Sequence, residues 1–176
     1  MIRSIALIPS PLPNPYSPFP TENNQRKPMN IFETLRADHD RQRAMLDELV
    51  ETHGDTAERD DLFRRVKREL HDHASAEERC FYIPLMESDL TQDTARHGVA
   101  EHHEIDELVE KLEETPHDSP GWLMHAKHLR ELVNHHLDEE EHGVFQMAGK
   151  VLSEKSKKEL AGEFREERKR LVRQSK

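Results

Sequence analysis

Several things are scarce in this chain, and each scarcity closes a door. There is one cysteine, Cys80, in 176 residues, so no intramolecular disulfide framework is available. No apolar run approaches the ~20 residues that a membrane helix needs. Ile5-Ala-Leu-Ile8 is shorter than a signal-peptide core and is followed at once by Pro9, Pro11 and Pro13. Those absences place the protein in the cytoplasm, with no membrane partner. Glycines number only six, and seven of the ten prolines precede residue 29, so the remainder has few helix breakers. Neither a phosphate-binding glycine loop nor a Ser or Cys nucleophile constellation occurs.

Charge is abundant but unevenly placed. The net charge is −10, and 35% of residues are charged against 34% hydrophobic, a balance that suits amphipathic helices around a narrow core. Residues 150–176 hold ten Lys/Arg against five Asp/Glu, and residues 1–28 hold three against one, so residues 29–149 carry −17. Such an acidic body argues against nucleic acid as a partner.

Residues 1–28 read as a Pro-rich disordered leader, with Met29 as an alternative start. Residues 29–149 form the domain proper, and residues 150–176 a C-terminal helix. Apolar spacing predicts five helical segments. The first is capped by Asn30 and runs to about residue 52, and the second spans about 56–87, with Pro84 distorting its last turn. The third starts at a Thr91 cap and ends before Pro116. The fourth starts near Ser119-Pro120, and the fifth follows a Ser153 cap to about residue 172. Short connections force antiparallel neighbours. The expected fold is therefore all-α: an up-down-up-down four-helix bundle of two repeated hairpins, plus a basic amphipathic C-terminal helix.

The hairpins are repeated in the letters themselves. His39, His73 and Glu77 recur 63 residues later as His102, His136 and Glu140. Neighbouring text repeats as well. Ala37-Asp38-His39 corresponds to Ala100-Glu101-His102, and Glu77-Glu78 to Glu140-Glu141. Each first-hairpin His lies 16 to 18 residues from the turn near Asp55, and His102 and His136 each lie 17 from the turn near Ser119. At ~1.5 Å per residue, the members of each pair sit at nearly one level, about 24–27 Å from their turn. All six residues also lie on the apolar stripes. Burying four imidazoles and two carboxylates without partners would cost several kcal/mol per charged group. A metal pair bound by His and Glu, the ligand types of borderline first-row cations, removes that cost. The i, i+4 spacing of His73/Glu77 and of His136/Glu140 puts each pair on one helix face.

These residues resemble the hemerythrin-like (HHE cation-binding) family over about residues 30–148. The resemblance rests on His39, His73-x-x-x-Glu77-Glu78, Glu101-His102 and His136-x-x-x-Glu140-Glu141. It implies a non-haem centre of two iron ions, with Glu77 and Glu140 bridging and the four His as terminal ligands. It further implies a small diatomic ligand or peroxide as the molecule handled. Oxygen-carrying members have two His four apart on the third helix, whereas here His102 is followed four residues later by Asp106. Asp106 is thus a further candidate ligand, against its reading as a solvated acid. The difference points away from an oxygen carrier and toward a protein that senses or binds oxygen, iron or nitric oxide. The alternatives are a di-iron enzyme that decomposes peroxide or handles nitric oxide, and a metal-free helical signalling bundle.

Other residues have simpler expectations. His128, His135 and His142 recur every seven residues as a possible second metal patch, more simply a solvated row. His97 sits one turn before His102 in poor phase. Cys80 is expected to be a small buried hydrophobe, and Tyr82 to pack, with a hydrogen bond to a ligand as the other possibility.

Overall fold

The computed structural model describes residues 29–174; the leader expected over 1–28 lies outside them. Its helices are α1 (Ile31–Glu51), α2 (Ala57–Glu77), α3 (Ile83–Leu85), α4 (Gln92–Glu114), α5 (Pro120–Glu139), α6 (Phe145–Val151) and α7 (Glu154–Gln174). Two π-helical turns, Glu78–Tyr82 and Glu140–Val144, join α2 to α3 and α5 to α6 without a break. The described residues therefore form five continuous helical rods, an all-α bundle with its C-terminal helix present.

Local chemistry sets the helix ends. Asn30 accepts from the Glu33 amide at 3.0 Å while Glu33 accepts from the Asn30 amide at 2.8 Å, a reciprocal cap worth about 1 kcal/mol. Thr56, Ser119 and Ser153 cap α2, α5 and α7 through their hydroxyls. Thr91 differs from expectation. Its hydroxyl donates to the Leu85 carbonyl at 2.6 Å and makes no cap bond to α4. Gly54, at φ +69°, turns the chain between α1 and α2 in a conformation that side-chain-bearing residues avoid.

Pro84 sits next to a local distortion of the second rod, which ends one residue later at Leu85. The wider π-turn lies just before the ring, with the Ile83 amide bonded to the Glu78 carbonyl. A π-turn inserts one residue into the helical repeat and is frequent at functional sites.

In the bundle α1 packs on α2 and α5, and α4 packs on α5 and α2. The fifth rod, α7, lies across α1 and α2. Two apolar cores result. One gathers Leu46, Leu49, Val66, Ile105, Leu112, Trp122 and Leu129 near one end. Trp122 is fully buried there, edge-on to Phe63 and under the Arg59 guanidinium. The other core gathers Ile31, Leu35, Phe81, Tyr82, Phe145 and Phe164. Between the two, in sequence along every rod of the four-helix bundle, stand the repeated His and Glu residues. Among the described residues, no helix is long and apolar enough to cross a membrane.

Candidate metal centre

All six repeated residues are at most 4% exposed: His39, His73 and Glu77 from the first hairpin, His102, His136 and Glu140 from the second. Their donor atoms fall into two groups. His39, His73 and Glu77 offer atoms within 4.8 Å of one another, and so do Glu77, His102 and His136. Glu77 belongs to both. Its Oε2 lies 3.5 Å from His73 Nε2 and 3.4 Å from His102 Nε2, spanning the two hairpins. Glu140 approaches the centre from the other side, with Oε2 3.2 Å from His39 Nε2.

Each imidazole is held from behind. His39 Nδ1 hydrogen-bonds Glu141 at 2.9 Å, and His102 Nδ1 hydrogen-bonds Glu78 at 2.9 Å. His136 Nδ1 meets Glu101 at 3.0 Å, and His73 Nδ1 meets Asp38 at 3.5 Å. A carboxylate can only accept, so each Nδ1 carries the hydrogen and each Nε2 faces inward. Carboxylates behind the ligating imidazoles are the usual outer shell of a metal site. Their order repeats the duplication. Asp38 and Glu101 each serve the second His of their own hairpin, while Glu78 and Glu141 each serve the first His of the other. Sequence reasoning had these four residues within the repeated text but gave them no task.

The inward atoms suit a cation. His39 Nε2, His73 Nε2 and both side-chain oxygens of Glu77 and Glu140 are buried without a hydrogen-bond partner, despite contacts of 3.2 to 3.5 Å among them. His102 Nε2 and His136 Nε2 point at each other across 3.1 Å. Orphaned buried atoms of this kind are costly, and imidazole with carboxylate is a borderline-metal donor set. The residues present therefore fit a buried pair of metal ions.

Protein charges alone already pull these groups in opposite directions. Burial works against a charged His39, but Glu140 and Glu141 outweigh it and raise the imidazole to about 10. Burial likewise opposes His102, and Glu77 and Glu78 raise it to about 9. His136 moves down, through burial and, against the Glu101 bond, the charge of His102. Burial and then the Glu77 charge lift Glu140 to about 7. Glu141 is lowered to about 2, chiefly by its bond to His39.

The surroundings hold two further features. Arg168 of α7 is 1% exposed and sets its Nε 3.2 Å from Asp38 Oδ2, while Phe164 stands edge-on to His73. The fifth helix thus reaches the centre through Asp38. Tyr82, fully buried, lays its ring over Gly98 and leaves its hydroxyl without a hydrogen-bond partner. Burial and the carboxylates of Glu140, Glu77 and Glu101 push that hydroxyl well up. Gly98 is one turn before His102, the opposite direction from Asp106.

Other candidates stand apart. Asp106 is exposed and belongs to neither donor group. His103, His128, His135 and His142 are all exposed. Cys80 is buried, and burial with Glu167 and Glu163 of α7 raises its thiol to about 11, which keeps it protonated and unreactive at neutral pH.

Comparison with known proteins bears on the family and the fold. Residues 30–148 match the family model described as Hemerythrin HHE cation binding domain. A crystal structure of a hemerythrin HHE cation-binding domain-containing protein from Mycobacterium kansasii is similar, with a TM-score of 0.74 at 22% identity over 81% of this chain and 87% of that one. A curated relative from Nostoc sp., named DNA nickase, is 25% identical over 145 residues. That stretch is 82% of this chain but only 41% of the relative's length.

Proposed function

Because this chain belongs to the hemerythrin HHE cation-binding domain family, we propose that it is a non-haem di-iron protein that binds or senses a small ligand such as oxygen or nitric oxide. The observation that carries this reading is the set of four imidazoles fixed at Nδ1, with their Nε2 atoms turned to two donor groups that share Glu77. His39 and His73 would hold one ion and His102 and His136 the other, with Glu77 between them and Glu140 beside His39. Iron rests on the family together with a donor set that suits it. When bound, the ion pair would supply redox-active Lewis acidity.

The remaining contributions come from this chain. Asp38, Glu78, Glu101 and Glu141 keep the imidazoles oriented, and the two apolar cores on either side exclude bulk water. The nickase named in Nostoc is a longer protein, and the charge of −10 carried here repels phosphodiesters. We therefore assign strand cutting no part in this function.

A second reading, an enzyme that consumes peroxide, is favoured by one observation. A cavity open to solvent has Glu140 and Tyr82 among its lining residues. Elemental analysis after anaerobic Fe(II) loading tests the shared premise, with about two irons per chain expected and none overturning it. Optical spectra with and without oxygen then separate the readings. A stable adduct supports the binder, and peroxide loss faster than in His73→Ala supports the enzyme.

A further inference from the structure

Where α4 faces the second π-turn, a cavity of about 390 Å³ opens to solvent. Gly98, Gly143, Glu140 and Tyr82 are among its lining residues. Glu140 and Tyr82 are at most 1% exposed and have oxygens without hydrogen-bond partners. His97, Glu101 and Glu139 line the same cavity nearer the surface, with donor atoms within 4.8 Å of one another. His97 Nε2 lies 3.8 Å from Glu101 Oε1 and 3.5 Å from Glu139 Oε2. Glu101 faces two ways, because its other oxygen holds His136 Nδ1 at 3.0 Å.

We propose that His97, Glu101 and Glu139 form a third cation site, an acceptor for a divalent transition metal at the rim of the cavity that Glu140 lines. The proposal rests on the buried pair of the preceding section. One imidazole with two carboxylates selects borderline divalent cations over the hard alkaline-earth ions. Exposed His–Glu pairs four apart on a helix are commonly nothing more than surface ion pairs. Two features set this one apart. Glu101 is 8% exposed and touches a ligand candidate of the centre. The cavity it lines is shared with Glu140, a carboxylate of the buried centre. Acidic walls in a cleft also raise the local cation concentration and the rate of capture.

The test uses the full chain, stripped of metal by chelation and titrated anaerobically with Co(II), whose visible absorption reports each site. The double variant His97→Ala/Glu139→Gln leaves the six buried residues untouched, and Glu110→Gln on the exposed face of α4 serves as the charge control. The natural chain is expected to retain two cations through desalting and to hold a third weakly. The double variant is expected to keep the two, lose the third and fill the buried pair about tenfold more slowly, with Glu110→Gln unchanged. Equal weak binding and equal filling rates in the natural chain and the double variant overturn the third site alone. Retention of no cation by the natural chain overturns the buried pair, and the third site falls with it.

Discussion

His102 and His136 bring their Nε2 atoms to 3.1 Å from each other while each ring is tethered at Nδ1, one to Glu78 and the other to Glu101. Neither ring can swing away without breaking a charge-assisted bond. Two nitrogen lone pairs are therefore held on one point, which a shared proton or a cation satisfies.

The tethers should matter to metal more than to folding. Glu78→Gln and Glu141→Gln are each expected to weaken metal affinity by about 10–100-fold, the usual cost of removing an outer partner of a ligating imidazole. Helical content should not change. Competition against a chelator of known affinity measures it. Unaltered affinity in both variants would mean that packing alone orients the rings.

Stripped of metal, the protein should lose stability as pH rises. Glu140 is lifted from 4.5 to about 7, so its contribution is present below 4.5 and lost on passing through 7. His102 and His39 are lifted from 6.5 to about 9 and 10, so theirs are present below 6.5 and lost through that range. Glu141, lowered to about 2, acts only at the acid end, where its contribution disappears as pH falls. Urea midpoints at pH 5, 7 and 9 should therefore decline in that order. Added metal, which competes with protons for the same nitrogens, should flatten the decline. A stripped protein equally stable at all three values contradicts this electrostatic account.

Glycines divide sharply in what they tolerate. A Cβ on Gly98 would stand 2.5 Å from Tyr82 Oη and 2.6 Å from Cζ, so Gly98→Ala should cost about 1–3 kcal/mol despite alanine's better helix propensity. Gly162 in α7 has nothing within 4 Å of that position, and Gly162→Ala should stabilise by about 0.5–1 kcal/mol. Thermal melts of the two variants should move in opposite directions. Movement in the same direction would show that Tyr82 gives way freely.

Arg168→Met should both destabilise the protein and loosen the centre. It removes a buried cation from Asp38, which retains Arg41 and His73 as partners, so a loss of about 2–3 kcal/mol is expected. Metal affinity should fall with it, because Asp38 orients His73. If stability drops while chelator competition is unchanged, α7 is a brace with no hold on the centre.

How much of this was readable from the letters follows from what each feature depends on. The 63-residue repeat and the count to each turn depend only on helical rise, and they place six side chains that all prove to be buried. The caps at Asn30 and Ser153 are likewise local chemistry, whereas Thr91 gives its hydroxyl to the Leu85 carbonyl instead. The π-turns were not visible, because an inserted residue is a choice of backbone and leaves no compositional mark. That insertion helps to explain why Phe81 and Tyr82, adjacent in sequence, are both fully buried. Asp106, one turn after His102, stands on a face open to solvent. The cavity that Gly98 helps to line lies one turn before His102. The tasks of Glu78 and Glu141 depend on the rotation of one hairpin against the other, which no single-helix pattern encodes.

Glu78 reaches out of the first hairpin to His102, and Glu141 out of the second to His39. Each half thus owns what the other half requires, like two people holding each other's keys. Neither hairpin in isolation contains a complete support for its own leading histidine. The exchange is reciprocal and nearly symmetric, which is the arrangement a two-fold pair of identical hairpins would adopt. The single chain therefore behaves as a tethered dimer of its own halves. A substitution at Glu78 or at Glu141 is felt first in the other half.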